Sequence, residues 1–351
     1  MTDTPKVDAT SVWDQRYQAG EHVGTRASTQ GHPGDYTQHP FLYRHAVAMP
    51  TTGSEDDWIT DYLGRKYLTP PPGQALAIGV GMAWIEEHLV RRDFAHHITA
   101  YELSSSAIKA ARERISDKDY ATRLDLRTGD VLEANLPNGA YDLVFVQAAI
   151  HHFDKIDQMF QLMHRVLKPG SLLIYDEYVG PDLHMYEPEV MAILNAINAC
   201  LAPGYRWDVL AQHTRQHVPI PSLEAMMQAD PSEGVHASRI LPLTYQYFDV
   251  IERIDYGGTV MRPFFSGILP NFNWDDPKDR TVARLIILLE QLLTKHGVLP
   301  HYHIGMVARR RERPRAALTA EEERRINYSD WPGPGKPARA GGMLGRLFGK
   351  P

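Results

Sequence analysis

Between Ala75 and Glu177 short apolar runs alternate with amphipathic stretches, and this rhythm constrains the fold more than any other feature of the chain. The pattern predicts strands at Ala75–Ile78, His97–Leu103, Leu124–Arg127, Asp142–Gln147 and Ser171–Glu177. Helical periodicity predicts helices at Ala83–Arg92, Ser105–Ile115 and Ile156–Leu167. Largely apolar strands separated by helices form a parallel sheet covered on both faces. The rhythm returns with a predicted strand at Phe248–Ile254, a helix at Val282–Leu293 and a last strand at His303–Ala308. The expected fold class is α/β, a doubly wound, Rossmann-like sheet of seven strands.

Around that core the chain divides into further parts. Residues 1–73 are polar and turn-rich, with SVWDQRYQAG, HPFLYRHAV and DDWITDYLGRKYL as amphipathic segments, and they read as an N-terminal cap. The break TPPPG ends it, because proline fixes φ and cannot continue a helix. Residues 74–308 form the main domain, interrupted at about 180–243 by a segment rich in Pro, His and Met, with helical character at Glu187–Leu201, expected to act as a lid. Residues 309–351 carry eleven Lys and Arg against five Asp and Glu and are rich in Pro and Gly. Such a composition buries too little apolar surface to offset ordering, so a disordered basic tail is expected.

The remaining composition excludes several classes. A formal charge of −6 argues against a nucleic-acid binder, and one cysteine, Cys200, allows neither an internal disulfide nor a CxxC site. The opening MTDTPKVDAT lacks the apolar core of a signal peptide, and the apolar run TVARLIILLEQLL is broken by Arg284 and Glu290. A cytoplasmic protein without a transmembrane segment, acting on a small molecule, is the expectation. The tail's final GMLGRLFGK offers at most weak docking to an acidic lipid surface or an assembly partner.

The residues that carry chemistry follow the strands. ALAIGVGMA places Gly79 and Gly81 in the turn after the first strand, where a doubly wound sheet binds its ligand. Three positions after Gly81 stands Trp84, whose bulk disfavours the GxGxxG packing of an NAD site. Glu102, at the tip of the second strand, suits the two hydroxyls of an adenosine ribose. Asp130 in TGDV follows the third strand and suits an adenine amino group. YDLVFVQAAIHHF then runs a strand into His151 and His152, and LKPGSLLIYDEYVGP ends a strand in acids.

These five motifs, in this order and spacing, resemble the class I S-adenosylmethionine-dependent methyltransferases. WDQRY, HPFLYRH, DEYVGP, DPSEGVHASRILPL and YGGTVMRPFFSGILPNF extend the resemblance to a bacterial subgroup associated with glycan or natural-product assembly, so that it covers roughly residues 11–308. The resemblance implies S-adenosylmethionine as cofactor, with Gly79, Val80 and Gly81 at its methionine part, Glu102 and Leu103 at the ribose, Asp130 and Val131 at the adenine, and Gln147 alongside. Two positions depart from the pattern: Ala77 stands where many members carry an acid, and Ala83 where they carry a third glycine.

Methyl transfer to a hydroxyl requires alignment, exclusion of water and a base. His151 or His152 is the leading base, because histidine titrates near neutrality; the alternative is a structural histidine. Glu177, with Tyr178, is placed at the same cleft if the sheet is regular, to bind or deprotonate an acceptor hydroxyl; the alternative for Glu177 is a capping acid. No metal is expected: His213 and His217 in HTRQH lack the glutamate of HExxH and run into Pro219. Met226, Met227, Tyr245, Tyr247 and Phe248 are either acceptor-pocket or core residues. The expected function is O-methylation of a small polar acceptor such as a sugar or glycosylated metabolite. The competing reading is a binding or scaffold protein of the same fold that has lost activity, with Ala77 and Ala83 as its marks.

Overall fold

A computed structural model describes residues 13–15, 36–220, 222–329, 331 and 334. Five strands follow in turn: β1 (Gln74–Ile78), β2 (His97–Glu102), β3 (Leu124–Thr128), β4 (Tyr141–Gln147) and β5 (Leu167–Tyr178). With β6 (Phe248–Asp255) and β7 (His303–Arg310) they form one sheet in the order β3-β2-β1-β4-β5-β7-β6. β1 to β5 are parallel, and β7 runs antiparallel to both its neighbours. The chain moves from β1 outward to β3 and then returns to the other side of β1 with β4. The crevice of this doubly wound sheet therefore opens at the carboxyl ends of β1 and β4.

The longer helices are α1 (Ile59–Tyr67), α2 (Trp84–Arg91), α3 (Ser105–Ile115), α4 (Ile156–Val166), α5 (Pro188–Cys200), α6 (Leu223–Ala229), α7 (Ile240–Tyr247) and α8 (Pro277–Lys295). The strands explain why both faces need cover. Ala75 and Ala77 of β1 pack into one apolar core, and Leu76 and Ile78 into the other. α4 contributes Ile156, Met159, Phe160, Met163 and Val166 to the second core, the spacing of one helical face. Each such burial stabilises by about 1.5–3 kcal/mol.

Two of the sequence motifs hold the sheet rather than the site. Lys168 donates to Asp142 Oδ1 at 2.6 Å, and Asp142 Oδ2 accepts from the Gln74 backbone at 3.0 Å. Asp142 and Lys-Pro-Gly thus tie β1, β4 and β5 together at the end remote from the crevice. β5 consequently starts at Leu167, four residues before the predicted start, with an irregularity in its pairing to β4 between Tyr141 and Leu143.

The described part of the cap, from residue 36, covers the first core through Tyr36, Leu42, Tyr43, Val47, Ile59 and Leu63, which share that core with Ile286 and Ile287 of α8. The segment after β5 contains α5, a two-residue ladder of Trp207–Asp208 with His213–Thr214, and α6. Its end rejoins the domain at Ile240 rather than Leu243, because α7 already packs Ile240, Leu241 and Leu243 into the second core.

Residues 309–329, expected in a disordered tail, lie against the body. Arg309 and Arg310 end β7, and a helix at Ala320–Arg325 starts with a Thr319–Glu322 capping box. Arginines and polar side chains fasten the segment: Arg315 donates to Tyr245 O at 2.7 Å, Arg253 to Ile326 O at 2.5 Å and Asn327 to Val179 O at 2.8 Å. Ile326 also packs into the second core, with Leu318 and Trp331 against it, and composition alone misses an attachment made by so few apolar residues together with bonds to backbone carbonyls. The final GMLGRLFGK lies outside the described residues. Among the described residues no helix is long and apolar enough to cross a membrane.

Candidate functional site

The turn after β1 makes the crevice. Gly79 and Gly81 adopt φ of +67° and +53°, and a Cβ on Gly79 would stand 2.5 Å from the Ala149 Cβ, so glycine lets the turn close onto the loop after β4. Ala83, at the position of a third glycine, keeps the left-handed φ of 55° at the N-cap of α2, and its methyl group is buried. Gly79, Val80, Gly81, Glu102, Leu103, Asp130, Val131 and Gln147 all line one cleft, joined by Trp13, Glu86, His152 and Ser232.

Glu102 is oriented by two backbone donors: Gly81 N–H at 2.8 Å on Oε2 and Ser104 N–H at 2.9 Å on Oε1. Burial raises its pKa, and these bonds oppose the rise. A carboxylate offers about four lone-pair directions, so two remain for ligand hydroxyls. Asp130 Oδ1 accepts from Leu132 N–H at 2.8 Å, which orients the acid at the far end of the cleft. Gln147 Oε1 is buried without a hydrogen-bond partner. An orphaned acceptor in a cleft between a glycine turn and an oriented carboxylate fits an adenosyl ligand that carries donors of its own.

The WDQRY motif acts here as well. Asp14 Oδ1 accepts from the hydroxyls of Ser104 at 2.5 Å and Ser106 at 2.7 Å, and these bonds lower its pKa. This anchor at the start of α3 brings the Trp13 ring edge-on to His152, with centroids 5.1 Å apart. Arg16 and Tyr17 of the motif lie outside the described residues.

Beyond β4 the two histidines have different surroundings. His151 is buried, its Nδ1 2.6 Å from Glu177 Oε2, while Glu177 Oε1 accepts from Ala149 N–H at 2.7 Å and Ile150 N–H at 2.6 Å. Burial disfavours charge on His151, but the Glu177 carboxylate outweighs it and raises the pKa. Glu177 is itself 1% exposed and does not line the cleft, so the expectation that it meets an acceptor hydroxyl is corrected. Its oxygens are committed to the loop after β4, and it positions His151. Tyr178 is also turned inward, donating to Pro181 O at 3.0 Å.

His152 does line the cleft. Ser232 donates to Asp230 at 2.6 Å, leaving its oxygen to accept from His152 Nδ1 at 3.2 Å. That arrangement puts the proton on Nδ1 and the lone pair on Nε2. Burial, and then the neighbouring His151, push the His152 pKa down to about 4.

Both imidazole Nε2 atoms point to Glu233, at 4.0 Å for His151 and 3.8 Å for His152. Glu233 Oε1 also accepts from Arg262 at 2.7 Å and lies 2.8 Å from His184 Nε2. Burial opposes its charge, yet the His184 bond and the charge of Arg262 hold Glu233 well below the usual carboxylate range. His151, His152 and Glu233 have their ligand atoms within 4.8 Å of one another, a grouping of metal-ligand type, but the Arg262 guanidinium already supplies the cation on Glu233.

Sequence reasoning missed Glu233, Ser232 and Arg262, and it grouped His184 with histidines read mostly as surface or loop residues, whereas His184 is buried. Glu233 and Ser232 lie in DPSEGV, which follows no strand of the sheet, and Arg262 lies in YGGTVMR, seven residues beyond the end of the antiparallel strand β6. His213 lies in the two-residue ladder and His217 beyond it, so HTRQH forms no helical face. Tyr245 and Phe248 pack in the second core with Tyr247 against it, and Met227 is exposed; none of them lines the cleft, nor does Met226.

Residues 76–175 match the family described as methyltransferase domain. The sterol 24-C-methyltransferase ERG6B of Gibberella zeae is 26% identical over 127 residues, covering 35% of this chain and 32% of that protein. A demethylmenaquinone methyltransferase of Listeria welshimeri is 25% identical over 139 residues, covering 38% of this chain and 58% of that one. The matched stretch thus spans less than two thirds of either relative. Among solved structures, geranyl diphosphate methyltransferase in complex with SAM aligns with a TM-score of 0.41 at 12% identity, over 72% of this chain and 84% of that one. The [4+2]-cyclase SpnF aligns with a TM-score of 0.40 at 17% identity, over 72% and 79%.

Proposed function

We propose, from the match of residues 76–175 to the methyltransferase domain family and from the cleft that Gly79, Gly81 and Glu102 line, that this chain uses S-adenosylmethionine to transfer a methyl group to a hydroxyl of a small polar acceptor such as a sugar or glycosylated metabolite. The observation that carries the acceptor class is the convergence of His151, His152, His184 and Arg262 on Glu233 beside the cleft. Of these groups only His152 lines the cleft itself, and a cluster of this polarity at its edge rewards a ligand rich in hydroxyls and penalises one that leaves its groups unpaired. The names of the two relatives, a sterol and a menaquinone enzyme, offer no support for a sugar; the acceptor class rests on the polar cluster at the edge of the cleft alone.

Gly79, Val80 and Gly81 would hold the methionine part of S-adenosylmethionine, Glu102 and Leu103 the ribose, Asp130 and Val131 the adenine, and Gln147 a donor along its length. When bound, the group supplies a methyl on a positively charged sulfur. The chain's own residues must align the acceptor and take its proton. His152 Nε2 is the atom that receives the proton, since Ser232 and Asp230 hold the other ring nitrogen as a donor. Glu233 lies close enough to stabilise the imidazolium that forms. His151, biased toward its charged form by Glu177, fixes the loop that presents His152. Trp13 packs edge-on against that ring.

Incubation of the purified protein with labelled S-adenosylmethionine and a panel of sugar nucleotides, glycosides and glycolipids tests the reading. Transfer to one member, reduced at least about a hundredfold in His152→Gln, is the expected result. No transfer to any sugar overturns the acceptor class and brings an amine or carboxylate forward. Ala77 and Ala83 support the competing scaffold reading. Cofactor turnover that Glu102→Ala abolishes eliminates that reading.

A further inference from the structure

One buried acid in the cleft has no role so far. Glu86 stands in the first turn of α2, is 4% exposed, and lines the cleft with Gly81 and Glu102. It makes no hydrogen bond or ion pair to another residue among the described residues. The charges that face it are Glu102 at the tip of β2, which repels it, and Arg114 at the end of α3, which attracts it. Two of the three Arg114 nitrogens are committed elsewhere, Nε donating to Glu87 at 3.0 Å and Nη2 to Met82 O at 2.7 Å; the guanidinium stacks 3.6 Å from the Trp84 ring, and Nη1 makes no hydrogen bond to Glu86. A buried carboxyl whose one hydrogen bond comes from its own backbone N–H is costly to charge unless a ligand completes it. Meanwhile Ala77, on β1 two residues before the glycine turn, offers no acceptor at all.

We propose that Glu86 is the ammonium subsite of the cleft, receiving the α-amino group of the cofactor's methionine part in place of the acid that Ala77 lacks. This rests on the reading that the cleft binds S-adenosylmethionine. Burial pushes free Glu86 up to about 8, so near pH 7 it is mostly protonated. An arriving ammonium makes the carboxylate the favoured form: the carboxyl O–H breaks, its proton goes to buffer, and the ammonium keeps its own protons and donates to the oxygen. Binding therefore releases a proton, which neutral adenosine contacts do not require.

Titration calorimetry of the full chain separates the possibilities, using S-adenosylhomocysteine and 5′-methylthioadenosine, which shares the adenosine and sulfur but has no amino acid. Comparison of buffers with different ionisation heats counts protons. The wild type is expected to release close to one proton (~1) with S-adenosylhomocysteine near pH 7 and none with 5′-methylthioadenosine. Glu86→Gln is expected to weaken S-adenosylhomocysteine by about ten- to a hundredfold and to leave 5′-methylthioadenosine within about twofold. No proton release by the wild type overturns the proposal even if the variant does not fold. An equal effect of Glu86→Gln on both ligands overturns it too and assigns Glu86 to Arg114, whose buried Nη1 has no partner. If the wild type binds neither ligand, the cofactor reading fails and the proposal with it; if it binds both while the variant discriminates no differently, only the proposal fails.

Discussion

The Glu177 carboxylate divides its two oxygens between a ring and a backbone: Oε2 lies 2.6 Å from His151 Nδ1, and Oε1 takes the Ala149 and Ile150 N–H groups at 2.7 and 2.6 Å. One acid thereby fixes the loop after β4 and the bias of its first histidine toward charge. Glu177→Gln keeps an acceptor for the backbone but removes the charge, and should destabilise by about 3 kcal/mol. Because His151 has a raised pKa when folded, the stabilisation is full below its unfolded value of about 6.5 and fades as pH rises through the folded value. Urea unfolding at acidic and alkaline pH should therefore show a larger deficit for the variant on the acid side. An identical deficit at both would remove the ion pair from the account.

Glu290 gives a pH dependence without a partner histidine. It is buried, accepts from the backbone of Val260 at 2.5 Å, and burial raises its pKa to about 7. A raised acid binds more protons folded than unfolded, so its contribution to stability declines from about 4.5 up to 7 and stays low above. Glu290→Gln, which can still accept those N–H groups, should match the wild type or fall slightly below it at pH 5 and unfold at a higher temperature at pH 8. A thermal shift that does not depend on pH would contradict this.

Glu102→Ala should cost more than its ligand contacts. The carboxylate also holds Gly81 and Ser104, so the glycine turn loosens with it. S-adenosylhomocysteine binding is expected to fall by at least about a hundredfold, against about tenfold for Asp130→Ala. Calorimetry showing the reverse order would move the principal anchor to the third strand.

Ser232→Ala leaves His152 Nδ1 without its acceptor and frees the ring to adopt the other tautomer. On an accepted substrate, kcat should drop by about ten- to a hundredfold with KM little changed, and Ser232→Thr should restore it. A rise in KM alone would show that the hydroxyl binds the acceptor instead.

Much of the fold is legible because β1 and β4 are buried on both faces and so read as unbroken apolar runs. Glu102, Asp130 and Gln147 are legible for the same reason: a strand tip in a doubly wound sheet faces the ligand. The acceptor side is different. Adjacency to β4 identifies His151 and His152 but not which of them meets the cleft, since one residue of rotation decides it. Glu233 comes from a segment with no fixed register to the sheet, and Arg262 from a loop seven residues beyond the end of β6, so only their meeting in three dimensions reveals them. Arg315 and Ile326 explain the misread tail, because a charged side chain that bonds a backbone carbonyl looks, in composition, like one in water, and a single buried isoleucine does not alter the average.

The double glycine at 257 and 258 has an engineering consequence. A Cβ at Gly257 would stand 2.7 Å from Glu290, and one at Gly258 would stand 2.7 Å from His303, so this turn is wedged between two buried side chains just before Arg262. Residues 180–239 bring Ser232 and Glu233, but the countercharge arrives separately on that wedge. A chimera that transplants the first segment alone imports an acid without its arginine. Exchange of acceptor preference between such proteins therefore demands that two distant stretches travel as one cassette.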